Sequence, residues 1–348
     1  MADVELIIDG TAFGGWESIG VNRSIETISG AFDLAVTEKS PFDPTDRRIR
    51  TGAPCSVAVD GETVITGYVD EIDVSENATT SSVTIRGRDR AADLVDCAAV
   101  HKPAEWLKRT LDAIARDICA PFGISVSVST DVGKPFPRFS INQGEKAFAA
   151  IERMCRQRAV LPVSNGRGGI ELTRAGTGRA AGSLVRGDNV IGASGQNSDR
   201  GRFSEIIVRG DNELQPGWKP EAGTEPENRA TDPAVGRYRP LIVIAEAQGD
   251  AANFAERARW EASTRAGRAT AASFTVAGWR GASGELWRPN RLVRVEHPVL
   301  GINRDMLITT VNYSKGERGT LTEISVARPE AYALIELKDT EEAGLWQG

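Results

Sequence analysis

Runs in which apolar and polar residues alternate, the period of a half-buried strand, fill residues 1–97. Val4, Leu6 and Ile8 share one face of a strand that Asp9-Gly10 closes. Ile25 to Thr37 alternates, with Phe32, Leu34 and Val36 on the same side. Cys55 to Val69 gives the plainest hairpin: two alternating runs flank Asp60-Gly61, a pair suited to a type I′ turn, whose central residues need positive φ. A further strand, Ser82 to Gly87, follows the polar stretch Ser75 to Ser81. Strands at such intervals predict a small barrel or sandwich.

The period changes after Cys97. Leu107, Leu111, Ile114 and Ile118 fall on one helical face, so the spacing predicts a helix from Pro103, a good first-turn residue, to Cys119, stopped by Pro121. A strand at Ile124–Val128 and a turn around Pro135 and Pro137 precede a second helix over Glu145–Arg158. Asn142 and Glu145 have the spacing of a capping box, and Phe148, Ile151 and Met154 or Cys155 form the inner stripe. Two short strands around Gly166–Gly169 complete a compact α/β module over residues 98–175.

From 176 to 348 the strand pattern returns. Phe203–Gly210 reads as a strand, residues 212–235 as a polar loop, and Leu241–Ala245 as a short buried strand. A helix is expected at 250–266, capped by Asp250 and stopped by Gly267, with Ala251, Phe254, Ala255, Ala258 and Ala262 facing inward. Strands at Ala272–Ala277, Leu292–Val295, Met306–Val311 and Leu321–Val326 follow. The order echoes the beginning of the chain. Val57-x-Val59, Ile65-Thr66 to Val69 and Val83-x-Ile85 correspond to Val293-x-Val295, Ile308-Thr309 to Val311 and Ile324-x-Val326. The expected fold is therefore mainly β with α+β parts: two similar β-barrel domains, 1–97 and 176–348, bracketing a small α/β module at 98–175.

Composition narrows the function. The 348 residues suffice for two or three domains, and 36 Gly and 16 Pro suit many short connections. A net charge of -6 opposes binding to a phosphate backbone, so no sequence-specific nucleic-acid binding is expected. Acidic residues near Met1 and the lack of any run approaching ~20 apolar residues argue against export and membrane insertion. Cys55, Cys97, Cys119 and Cys155 include no close pair of the kind zinc needs and read as reduced, mostly buried thiols.

Candidate chemistry is sparse. His101 and His297 each sit at an element boundary beside a proline, far from the pattern of a triad or a metal site. Gly192–Gly195 and Gly281–Gly284 each miss the nucleophile-elbow spacing by one residue, and Gly133-Lys134 lacks the rest of a phosphate-binding loop. Gly176–Ala181 matches a loose dinucleotide pattern, but no helix begins there to receive a pyrophosphate. Asp43 with Asp46, Asp70 with Glu71 and Asp73, and Glu145 with Glu152 read as solvated charges. Arg209-Gly210-Asp211 repeats the way strands end at Arg86-Gly87 and Arg186-Gly187. Trp260, Trp279 and Trp287, with Arg280 and Arg288 nearby, read as core or interface residues before a sugar platform. No catalytic, cofactor-binding or metal-ligating residue is assigned.

Several fragments in order carry a resemblance: Gly67–Asp70, Gly87–Cys97, Tyr238–Glu246, Ala258–Glu261, Val276–Arg280, Gly284–Val293 and Met306–Ile308. Together they resemble the baseplate hub family of phage Mu-type contractile tails, itself related to the central hub of T-even phages and the base of type VI secretion spikes. The resemblance implies a non-enzymatic structural protein of the virion tail, assembled in the bacterial host cytoplasm. It also implies a homotrimer whose six β-barrels form a pseudo-six-fold ring, with the tail tube protein above and the central spike protein below. Tape-measure and baseplate wedge proteins would be further partners, and no cofactor is implied. The alternatives are a spike-base protein of a tailocin or secretion system and a phage-associated cell-wall hydrolase.

Overall fold

The computed structural model describes residues 3–37, 49–76, 81–209, 227–244 and 251–332. The first part of the chain forms β1 (Val4–Ile8), β2 (Thr11–Phe13), β3 (Ser18–Ser24), β4 (Ala31–Thr37), β5 (Pro54–Val59), β6 (Glu62–Glu76) and β7 (Ser81–Asp89). Alternation does what its period requires: Ile19 and Val21 on β3 and Phe32, Leu34 and Val36 on β4 are all buried. Asp60 and Gly61 have φ of 47° and 78°, so the β5–β6 hairpin turns as its sequence predicts.

The middle stretch comprises α1 (Ala91–Asp96), β8 (Glu105–Arg109), α2 (Leu111–Cys119), β9 (Ser125–Val128), β10 (Phe136–Ser140), α3 (Ala147–Gln157), β11 (Leu161–Ser164) and β12 (Gly169–Thr173). It has its own core, in which Leu94, Ile114 and Ile118 meet Ile151, Met154 and Cys155. The expected helix from Pro103 begins only at Leu111. Residues 105–109 instead pair with β10, leaving Leu107 64% exposed. Burying Trp106 decides this: its indole N–H donates to Asp117 at 2.9 Å, and a helix that turned Leu107 inward would give up that site. Glu145 accepts from the Asn142 N–H at 2.9 Å but closes the turn before α3, whose own N-cap, Lys146, makes no side-chain cap bond.

The last part contains β13 (Leu184–Val185), β14 (Val190–Asn197), β15 (Glu205–Arg209), β16 (Glu227–Thr231), β17 (Pro240–Ile244), α4 (Ala251–Arg268), β18 (Thr270–Ala277), β19 (Leu292–His297), β20 (Ile302–Gly316) and β21 (Gly319–Ala327). Part of the expected polar loop, Glu227–Thr231, is a strand paired with β15; residues 212–226 and the Asp250 cap lie outside the described residues. β17 is a strand but not a buried one, since it edges the small sheet β16-β15-β17 and leaves Ile242 and Ile244 about half exposed. Gly267 does not stop α4. It lies inside the helix, where a Cβ would come within 2.5 Å of the Ala331 nitrogen, so its role is close packing.

Most strands join one 13-stranded sheet in which two five-stranded blocks share an order: β3-β4-β7-β6-β5 and β14-β18-β21-β20, with β19 on the far edge of β20. The two longest pairs match in length. β6 and β20 have 15 residues each, and β7 and β21 have 9 each. The register matches too: adding 239 to both residues of the pairs Tyr68↔Arg88 and Glu71↔Arg86 gives Leu307↔Ala327 and Thr310↔Ser325. A bulge interrupts both ladders at equivalent places, between Val69 and Glu71 and between Ile308 and Thr310. The echo read from Ile65-Thr66 and Ile308-Thr309 is thus real but four residues out of register, since Val69-Asp70 is the equivalent of Ile308-Thr309.

The mainly β fold is as expected, and the two similar strand blocks lie in one large sheet; among the described residues no closed barrel is formed. Among the described residues the outer strands of neither block pair with each other; instead β3 pairs with β20 and fuses both into one sheet. A single apolar cluster runs from Val4 and Trp16 through to Trp279, Trp287 and Val326.

The middle module is tied to this sheet by a buried polar knot. Asp89, 3% exposed, accepts from the N–H of Gly30 at 2.9 Å and of Ala91 at 2.8 Å. Arg23, pushed below its ordinary pKa by burial, donates to the Ser164 carbonyl at 3.1 Å. Asp89→Ala leaves two buried N–H groups without an acceptor, at about 1–3 kcal/mol each. Urea denaturation should show a loss of about 3 kcal/mol, with Asp89→Asn, which keeps one acceptor, losing less.

Candidate assembly interface

Where the sequence offers candidate chemistry, the structure shows packing. His297 is buried, caps a 3-10 turn by accepting from the Leu300 N–H at 3.3 Å, and meets the Phe274 ring edge-on. His101 stacks on Trp106 and contacts the Pro103 carbonyl. The glycines of the loose dinucleotide pattern let the chain lie against Asn290–Leu292. The Gly176 N–H donates to the Asn290 side chain at 2.7 Å, and a Cβ there would stand 2.0 Å from the Asn290 carbonyl oxygen. Trp279 and Trp287 are each 1% exposed, which removes them from any sugar platform. Glu145 and Glu152 pair with Arg153 and Arg156, while Asp43, Asp46, Gly210 and Asp211 lie outside the described residues. Among the described residues no cluster of potential ligands has the makings of a metal site.

What the structure does build is a joint. The β3–β20 ladder runs from Thr310↔Ser24 to Lys315↔Ile19. Side chains reinforce it: Asn22 donates to Asn312 at 3.1 Å, and the Ser24 and Thr310 hydroxyls lie 2.8 Å apart. The β5–β6 turn is clamped from the other half. Arg280 donates to Glu62 at 2.8 Å and to the Asp60 carbonyl at 3.1 Å, and Arg288 pairs with Glu62 as well. These are the two arginines that the sequence set beside the tryptophans; their carboxylate partners, more than two hundred residues away, left no local signal.

The face of the sheet opposite the core is polar and differs between blocks. In the first, Arg86 bonds Asp33 at 2.6 Å and also pairs with Asp73, with Glu71 at 3.5 Å. Those hydrogen bonds, to Asp33 first, raise its pKa further. Arg88 is held likewise by Asp70 at 2.6 Å and Asp96 at 2.9 Å. In the second block the equivalents of Asp33, Arg86, Glu71 and Asp73 are Ser273, Ser325, Thr310 and Asn312, a ladder of hydroxyls and an amide.

Within the two matched blocks, two strand edges are open among the described residues: β14 ends the sheet, and beyond Val69 the edge of β6 facing away from β7 has no partner. Both are exposed: Val74 is 62% and Ile191 63% accessible. Unpaired N–H and C=O groups along such edges template pairing with another chain. The weak β-propensity of Gly192, Ser194, Gly195, Gln196 and Asn197 hid β14 from the sequence reading.

Comparison with known proteins gives consistent results. Residues 3–89 match the family model for the N-terminal domain of Mu phage baseplate assembly protein GpP-like proteins. Residues 91–174 match the second domain of baseplate hub protein gp44-like proteins, and 250–335 match the fourth domain of Mu phage baseplate assembly protein GpP. The baseplate hub protein gp44 of Escherichia phage Mu is 33% identical over 94% of this chain and 88% of its own length. Among solved structures, the 43 kDa tail protein of prophage MuSo2 from Shewanella oneidensis superposes with a TM-score of 0.86 at 39% identity, covering 96% of this chain and all of that one. The E. coli c3393 protein, a type VI secretion component described as similar to T4 tail proteins gp27 and gp5, shares the fold. Its TM-score is 0.58 at 12% identity, over 96% of this chain and 80% of its own.

Thiol accessibility tests the packing on which the interface stands. Burial drives the Cys55 and Cys119 thiols up to about 12 and raises Cys155 as well, whereas Cys97 is exposed. A thiol reagent at pH 8 should therefore modify one cysteine per native chain, abolished by Cys97→Ser, and reach the other three only in denaturant. Rapid reaction of several thiols in the native state would contradict the described core.

Proposed function

The chain belongs to the family of the phage Mu baseplate hub protein gp44 and is a structural hub protein of a phage tail baseplate, and from that premise we propose that three copies close into a ring of six equivalent β-blocks between tail tube and central spike. The observation that carries this reading is the doubled block. One chain holds two five-stranded units of the same order, with matching length and register along β6–β7 and β20–β21, so a trimer offers six similar units to a six-fold tube while keeping three-fold symmetry for a spike. Each block corresponds to one barrel-type domain that shares a sheet with its twin, in the segments 1–97 and 176–348, with the α/β module at 98–175 on the outside.

The polar face is assigned to the channel. It carries Asp33, Asp70, Glu71, Asp73 and Glu323 against Arg86 and Arg88, an acid-rich mixture over which a DNA backbone passes without the counterion release that drives tight binding. Tube, spike, tape-measure and wedge proteins are the proposed partners, the virion tail the location, and the host cytoplasm the place of assembly. The part is architectural: binding and symmetry matching, with no reaction assigned to any residue.

Light scattering on the purified protein tests the ring. The expected molar mass is three times that of one chain at micromolar concentration and above. A monomer or a two-fold dimer that persists at the highest attainable concentration contradicts the proposal.

A further inference from the structure

The two halves of the sheet are related by one mapping, and the mapping leaves one ladder unmatched. Inside the chain, β3 lies along the distal half of β20. The β3–β4 and β14–β18 registers make β14 the equivalent of β3, with Ser194 matching Gly20 and Gln196 matching Asn22. The equivalent of Thr310–Lys315 on β20 is Glu71–Glu76 on β6. β3 and β20 have each other, whereas β14 and this stretch of β6 have no strand partner on their outer edges among the described residues.

We propose that β14 of one copy pairs antiparallel with Glu71–Glu76 of the next copy, in the register that the internal ladder dictates. The proposal rests on the ring described above and names its strands and their alignment. Carried over residue by residue, the internal pairs Asn312↔Asn22, Tyr313↔Val21 and Ser314↔Gly20 become Asp73↔Gln196, Val74↔Gly195 and Ser75↔Ser194 between copies.

Burial supports the transfer. Tyr313, on the covered edge, is fully buried, while its equivalent Val74 is 62% exposed for want of the neighbouring strand. Chemistry supports it too. Asn22 donates to Asn312 across the internal joint, and between copies the Gln196 amide meets the Asp73 carboxylate, again a donor opposite an acceptor. The edges also select each other. Glu71, Asp73 and Glu76 give the β6 edge three carboxylates, so two such edges repel, whereas β14 from Val190 to Asn197 carries no charge. A contact between two different edges is heterologous and generates a ring when its rotation closes, unlike a two-fold dimer that uses one patch twice.

Cysteine pairs test the register. In a Cys97→Ser background, chains carrying Ser75→Cys are mixed with chains carrying Ser194→Cys, co-refolded and mildly oxidised; strands facing each other bring the Cα atoms within the roughly 4.4–6.8 Å that a disulfide spans. Covalent dimers joining the two variants should appear on a non-reducing gel, and the double variant in one chain should give dimers and trimers. Ser75→Cys with Gln196→Cys displaces one thiol by about 7 Å along the strand and should lose the cross-link. A trimer by light scattering with no cross-link at Ser75 and Ser194, or with equal cross-linking in the displaced pair, overturns the strand pairing but leaves the ring intact. A monomer without cross-links overturns both.

Discussion

Backbone hydrogen bonding between β3 and β20 is the constraint on which the remaining architecture depends. Those strands lie almost three hundred residues apart, and their ladder makes two five-stranded blocks into one sheet with one core. Without it, Val311 and Tyr313 would stand as open to water as Ile72 and Val74 do in the first block. Everything added at the joint, from the Asn22–Asn312 bond to the clamp of Arg280 and Arg288 on the β5–β6 turn, holds the two blocks in a fixed relation. A hub needs that relation fixed. If the blocks rotated freely, a doubled unit could not present regularly spaced copies of itself.

The two blocks share backbone and core and differ on the exposed face. Leu34 and Phe274, Ile85 and Ile324, and Val69 and Ile308 occupy matching buried places, and even the bulge recurs. On the opposite face, Asp33, Arg86 and Glu71 correspond to Ser273, Ser325 and Thr310. Packing density explains the first pattern, since a buried side chain must fit its neighbours; solvent explains the second, since a polar face tolerates any group that satisfies itself. In the proposed ring, charged and hydroxyl faces would alternate around the channel.

Much of this was legible in the chain. Period-2 patterns located most strands of both blocks, Asp60-Gly61 gave the turn, and the repeated order of elements pointed to doubling. Four things were not legible. The register of the repeat was misplaced by four residues because Ile-Thr recurs at Ile65 and Ile308 by coincidence, and only hydrogen-bond pairing separates coincidence from equivalence. β14 escaped because an edge strand that is exposed on both faces needs no apolar alternation. The helix at Pro103 failed because the demand of one large side chain, Trp106, outweighed a helical spacing that included Leu107. The joint itself, with partners such as Glu62 and Arg280, is long-range and leaves nothing in a local window.

An electron-microscopy map of the purified assembly, viewed down its axis, tests the doubling most directly. The account predicts six lobes of like size, with sheet density crossing all six boundaries, three within chains and three between them. A map with three lobes would contradict it, whereas six lobes whose sheets are continuous only at alternate boundaries would keep the doubling and overturn the strand pairing between copies.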